Sequence, residues 1–238
     1  MTRHRLLCTA LATAAVAALP ASAQTPRATP PAAAQRDGAV DATLDRAARA
    51  YKGAKSIRAS FEQTLTNPLT GSNTVQTGEL FQQGKRWSAR FRNPPGDRYV
   101  LDGRTFWIYT PSSAPRQALR LALDPEAVAN FDLVQQLATK PKQQFVITAA
   151  GAATVNGRPT RALQLVPRKE SRLAKAIVWV DDRDGTVRQF ELTETTGLVR
   201  RVRLSDVRFN APIPAAEFAF TPPAGVRVIE QPGGNGVR

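Results

Sequence analysis

Ser56-Ile57-Arg58-Ala59-Ser60-Phe61-Glu62-Gln63-Thr64-Leu65 carries apolar side chains at Ile57, Ala59, Phe61 and Leu65, and polar ones at Arg58, Ser60, Glu62 and Thr64. A period of two puts the two sets on opposite faces of an extended chain, so the segment reads as a strand with one buried side. The same alternation predicts strands at residues 74–82, 86–91, 98–101, 105–110, 117–123, 145–149, 160–166, 175–180, 187–195 and 198–209, eleven with the first. Asp102-Gly103, Asn156-Gly157 and Asp184-Gly185 suit tight two-residue hairpins, which make successive strands antiparallel.

Two segments break this period. Val40, Leu44, Ala47, Ala48 and Tyr51 recur at helical spacing, with Arg46, Arg49 and Lys52 elsewhere on the wheel and Gly53 placed to stop the helix. At Asp124-Pro125-Glu126 a cap and a first-turn proline precede Val128, Phe131, Val134 and Leu137, predicting a second helix between strands six and seven. The expected fold is mainly β with α: an incomplete, strongly curved antiparallel β-barrel of about eleven strands, covered by an N-terminal helix and an inserted lid helix.

The start of the chain reads as a targeting segment. Arg3 and Arg5 precede an apolar run from Leu6 to Leu19, and Ala21-Ser22-Ala23 offers a small-residue cleavage site. Residues 1–23 are thus expected to be a secretory signal peptide in which Cys8 is a small apolar filler. Residues 24–38, rich in Pro, Ala and Thr, form a flexible leader, 39–230 a single half-barrel domain, and 231–238 a loose tail. No later window has the roughly 18 to 20 apolar residues that a spanning helix needs.

The only Met, His and Cys of the 238 residues are Met1, His4 and Cys8, so cleavage after Ala23 would leave a chain with none of the three. That removes Ser-His and Cys nucleophiles and His or thiolate metal sites. Asp181, Asp182 and Asp184 cluster before Gly185, where Asp makes local turn hydrogen bonds, and no Glu follows to complete a calcium loop. No phosphate-binding glycine motif occurs. A Ser with a Lys base is the one nucleophilic arrangement left open; the expectation is a non-enzyme without metal or cofactor.

Removing Arg3 and Arg5 from 33 basic residues leaves 31 against 19 acidic, a net charge of +12. An exported chain with dispersed charge suits anionic lipid or an acidic protein better than nucleic acid. Arg200, Arg201 and Arg203 read either as a solvated sheet edge or as an anionic docking face. Phe106-Trp107-Ile108-Tyr109 and Ala176-Ile177-Val178-Trp179-Val180 are apolar on both faces, so both strands should be covered on both sides. The concave side of such a sheet holds either filled core or an apolar ligand.

The chain resembles the periplasmic outer-membrane lipoprotein carrier family, LolA. The resemblance lies in Ala59-Ser60-Phe61-Glu62-Gln63-Thr64, Gly78-Glu79-Leu80-Phe81, the run from Leu101 to Pro111, Asp184-Gly185-Thr186-Val187 with Phe190, and Phe218-Ala219-Phe220-Thr221-Pro222-Pro223-Ala224-Gly225-Val226. It implies a periplasmic protein that carries acylated lipoproteins from an inner-membrane lipoprotein-releasing ABC transporter to an outer-membrane lipoprotein receptor; nothing in the sequence suggests more than a monomer. The other role it implies is a periplasmic lipid- or lipoprotein-binding sensor on the same fold. The expected acyl-binding residues are Val40, Leu44 and Tyr51 of the first helix, Phe61, Leu80, Trp87, Phe91, Trp107 and Tyr109 of the strands, and Phe131, Val134 and Leu137 of the lid. The family often has a basic residue followed by proline after the Gly-x-Leu strand, where an arginine locks the lid. Here Gln82-Gln83-Gly84-Lys85-Arg86-Trp87 lacks the proline, leaving Lys85 or Arg86 as lid-locking candidates.

Overall fold

The computed structural model describes residues 32–123 and 141–231. Helix α1 (Ala32–Tyr51) leads into β1 (Ser56–Thr66), β2 (Asn73–Gln83), β3 (Arg86–Asn93), β4 (Arg98–Leu101), β5 (Thr105–Tyr109) and β6 (Gln117–Ala122). A short helix, α2 (Pro141–Gln144), precedes β7 (Phe145–Val155), β8 (Arg158–Pro167), β9 (Leu173–Asp181), β10 (Val187–Glu194) and β11 (Val199–Phe209). A single 3₁₀ turn (Ala215–Phe218) and β12 (Arg227–Gln231) follow.

All described strands form one twelve-stranded sheet in the order β12-β6-β5-β4-β3-β2-β1-β11-β10-β9-β8-β7. It is open and curved, with β12 and β7 as its edges. Each expected strand is present, and every pairing is antiparallel except that of β12 with β6. The β7–β8 hairpin turns at Asn156 (φ 48°) and Gly157 (φ 72°), the two positive angles such a dipeptide supplies.

The sheet departs from expectation at both ends. Helix α1 begins at Ala32, so the last seven residues of the segment read as a leader, 32–38, are helical. β12 adds a twelfth strand reaching into the presumed tail at Gln231; parallel pairing needs no hairpin and leaves no local turn signal. The segments expected to be a signal peptide and a lid helix fall outside the described residues. Among those described, no helix is long and apolar enough to cross a membrane.

Register assigns the two faces. On the inner face Val40, Leu44, Ala47 and Tyr51 of α1 bury themselves against Phe145, Leu163, Leu165, Ala176, Val178, Val180 and Val187. This fills the β7–β10 half with core. Arg46 ties the helix to Asp182 at 3.1 Å, and Lys142 of α2 pairs with Asp41. The β9–β10 turn closes on α1 through Gly185 (φ 75°), where a Cβ would stand 2.4 Å from the Arg46 carbonyl oxygen.

Candidate functional site

The other half of the inner face is aromatic. Phe61 of β1 meets Phe91 of β3 edge-on at 5.2 Å between ring centroids; Phe91 meets Tyr99 of β4 at 5.0 Å. Tyr99 and Trp87 each approach Phe106 of β5 at 6.3 Å. Antiparallel partners share a face, and the register pairs Trp87 with Leu101, Ala89 with Tyr99, Leu101 with Phe106 and Tyr99 with Ile108. These side chains therefore form one band across β1 to β6.

Within the band, Phe61, Phe91, Leu101 and Phe106 are buried and form a floor. Leu80, Trp87, Tyr99, Ile108, Leu121 and Leu123 are half-buried on top of it. Burial pushes the Tyr99 hydroxyl to a higher pKa, with the positive charge of Arg200 opposing and Asp97 adding to the rise. Arg200 lies on β11, four places from β4 in the sheet order. In a flat sheet that is about 19 Å, so the Arg200 charge acts on Tyr99 from a distance rather than by contact.

Four of the strand residues expected to line the site thus lie together: Phe61 and Phe91 in the floor, Leu80 and Trp87 above it. Trp107 and Tyr109 do not. They point to the outer face, where Phe220 covers both rings at 5.4 and 5.5 Å and the Arg120 guanidinium lies 5.5 Å from the Trp107 ring centroid. Their neighbours Phe106 and Ile108 occupy the inner positions instead. The expectation that this strand is covered on both sides holds, since the C-terminal segment straps its outer side.

Val40, Leu44 and Tyr51 belong to the filled half. The Val187 N–H donates to the Tyr51 hydroxyl at 3.1 Å, and the Tyr51 ring abuts Phe209 at 5.1 Å, so Tyr51 anchors the end of α1. A recess lined by Tyr51, Ile57, Gln82 and Gly84 lies beside it. Arg86 is also turned outward, donating to Gln83 Oε1 at 2.5 Å and lying 4.8 Å over the ring of buried Phe218. That contact holds the strap, which removes Arg86 from the inner face. Lys85 is exposed at the β2–β3 turn; Phe131, Val134 and Leu137 lie outside the described residues.

Comparison with known proteins places this sheet. The family model for the outer membrane lipoprotein carrier protein LolA matches residues 52–221. The chain belongs to the LolA family. The match runs from the end of α1 through β11 to the Phe218–Phe220 strap and stops short of β12. Outer-membrane lipoprotein carrier proteins of Klebsiella pneumoniae and Chromobacterium violaceum are similar to it. The first is 31% identical over 198 residues, covering 80% of this chain and 89% of the relative. The second is 29% identical over 180 residues, covering 74% and 82%. An uncharacterized conserved protein from Thermus thermophilus shares the fold at TM-score 0.51 and 10% identity, covering 81% of this chain and 99% of its own.

In this LolA-family chain the ion pairs around Asp181 and Glu79 serve the frame. Asp181, fully buried, accepts from Arg158 at 2.6 Å and from Arg188 at 3.0 Å, and both arginines also reach Asp184. Burial pushes its carboxyl up, but the bonds from Arg158, the Arg183 N–H, Arg188 and the Asp184 N–H together outweigh it and bring the pKa to about 2. On the outer face Glu79 accepts from Arg58 and Arg90, which hold its pKa down against desolvation. Among the described residues no cluster of three His, Cys, Asp or Glu side chains could hold a metal.

Proposed function

We propose that this chain is a periplasmic carrier that binds the acyl chains of lipoproteins on its aromatic inner band and passes them from an inner-membrane transporter to an outer-membrane receptor. The observation that carries this reading is the band itself: Leu80, Trp87, Tyr99, Ile108, Leu121 and Leu123, all half-buried over Phe61, Phe91 and Phe106. Membership of the LolA family and the names of the similar proteins support it.

The physics suits a carrier. Each methylene withdrawn from water contributes about 0.8 kcal/mol, so lipoprotein acyl chains need an apolar escort across an aqueous compartment. A band half-buried in advance gains less area per chain than a deep cavity, which keeps the grip weak enough for a tighter acceptor to win. The division of the inner face into a filled half under α1 and an aromatic half lets the first supply stability while the second meets cargo.

The test is release from membranes. Spheroplasts containing radiolabelled lipoproteins are incubated with the purified protein, and the soluble fraction is assayed for acylated protein in complex with it. Release is the expected result. A folded protein that leaves every labelled lipoprotein in the membrane would sink the reading.

A further inference from the structure

Strand β11 carries three arginines, and their environments differ. Arg201 and Arg203 face outward and are paired, Arg201 with Glu191 at 2.6 Å and Arg203 with Glu62 at 3.1 Å. Arg200 faces inward. Its register partners are Leu65 and Leu192, and it shares its side of the sheet with Val202, Leu204 and Phe190. Among the described residues it meets no carboxylate within ion-pair distance; its hydrogen bond runs to Gln63 Oε1 at 3.0 Å.

Gln63 is only 5% exposed, and its amide donates to Gln76 Oε1 at 2.6 Å. The oxygen of Gln63 is thereby presented to Arg200, which holds the guanidinium in place without neutralising it. A half-buried guanidinium beside apolar side chains gives up part of its hydration without a carboxylate to offset it. A ligand anion would relieve that cost. Tyr99, whose hydroxyl feels the Arg200 charge, stands across the curved face as a second polar group above the aromatic floor.

We propose that Arg200, oriented by Gln63, is an anion anchor for an amphiphile whose acyl chain lies on the aromatic band and whose carboxylate or phosphate pairs with the guanidinium. The inference rests on the band being an acyl-chain site and adds a head-group preference to it. It assigns the inward arginine to cargo recognition, while its outward neighbours stay part of the surface ion pairs.

The test compares ligands of equal chain length, decanoate, decyl phosphate and neutral decanol, each titrated below its aggregation threshold into the purified protein by calorimetry. The expected result is that both anions bind roughly tenfold or more tightly than decanol. Arg200→Gln should abolish that preference while leaving decanol affinity unchanged, and Arg200→Lys should retain part of it. Circular dichroism confirms the fold of each variant. Preference for both anions indicates charge recognition shared by fatty acid and phospholipid; preference for one identifies the source. Equal binding of all three by the wild type, or a preference that survives Arg200→Gln, overturns the anchor and leaves the acyl site standing. No binding of any of the three overturns the anchor together with the acyl-chain reading beneath it.

Discussion

The ring of Phe61 lies directly over Gly78, its partner across the β1–β2 hairpin: a Cβ at position 78 would stand 2.7 Å from two atoms of that ring. The same Cβ would stand 2.3 Å from the Arg90 carbonyl oxygen on β3. Only a residue without a side chain lets the floor of the aromatic band settle onto the sheet. Gly78→Ala should therefore destabilise the protein by about 1–3 kcal/mol through overpacking, at roughly 2–4 °C of Tm per kcal/mol for a chain of this size. Thermal melts followed by circular dichroism check this, and an unchanged Tm would mean that the ring is free to move aside.

Trp87 sits over the floor, half-buried beside Phe106. A carboxylate there would be solvated enough to leave the sheet intact yet would oppose an acyl chain. Trp87→Glu should abolish release of labelled lipoprotein from spheroplasts while near-native circular dichroism persists. Loss of the folded signal in this variant would reassign Trp87 to the core.

Asp181 makes acid sensitivity predictable in sign. Its folded pKa, about 2, lies below the ordinary value of 3.8, so its contribution is fully present above pH 4 and is lost as pH falls towards 2. The shift corresponds to something on the order of 2 kcal/mol. Urea unfolding of Asp181→Asn should show lower stability at neutral pH and a shallower decline between pH 4 and 2 than the wild type. Parallel pH profiles for the two proteins would refute the assignment.

The strap depends on Phe218, buried on the outer face with the Arg86 guanidinium 4.8 Å from its ring centroid. Phe218→Ala should cost about 3–5 kcal/mol, as for other large-to-small core changes. Phe220→Ala, at a half-buried position, should cost less and bare the outer sides of Trp107 and Tyr109. Urea midpoints in which Phe220→Ala is the more damaging of the two would contradict this placement.

Local pattern in the chain was enough for eleven strands and the apolar stripe of α1, because each signal is carried by residues within one segment; of the three turn dipeptides only Asn156-Gly157 forms the two-residue hairpin, while residues 182–186 make a longer turn between β9 and β10. Composition alone likewise confined His, Cys and Met to the first eight residues, so none of the three occurs in the described sheet. Which side of each strand faces inward was another matter. Alternation divides a strand into two faces without ranking them, and Phe106-Trp107-Ile108-Tyr109 is apolar on both. Trp107 and Tyr109 became outer residues because Phe220, over a hundred positions later, folds onto them; Phe106 and Ile108 became inner ones because β4 presents Leu101 and Tyr99 on that side. The isolation of Arg200 from its paired neighbours Arg201 and Arg203, and the parallel addition of β12, arise the same way, from strand neighbours distant in sequence that only the assembled sheet brings together.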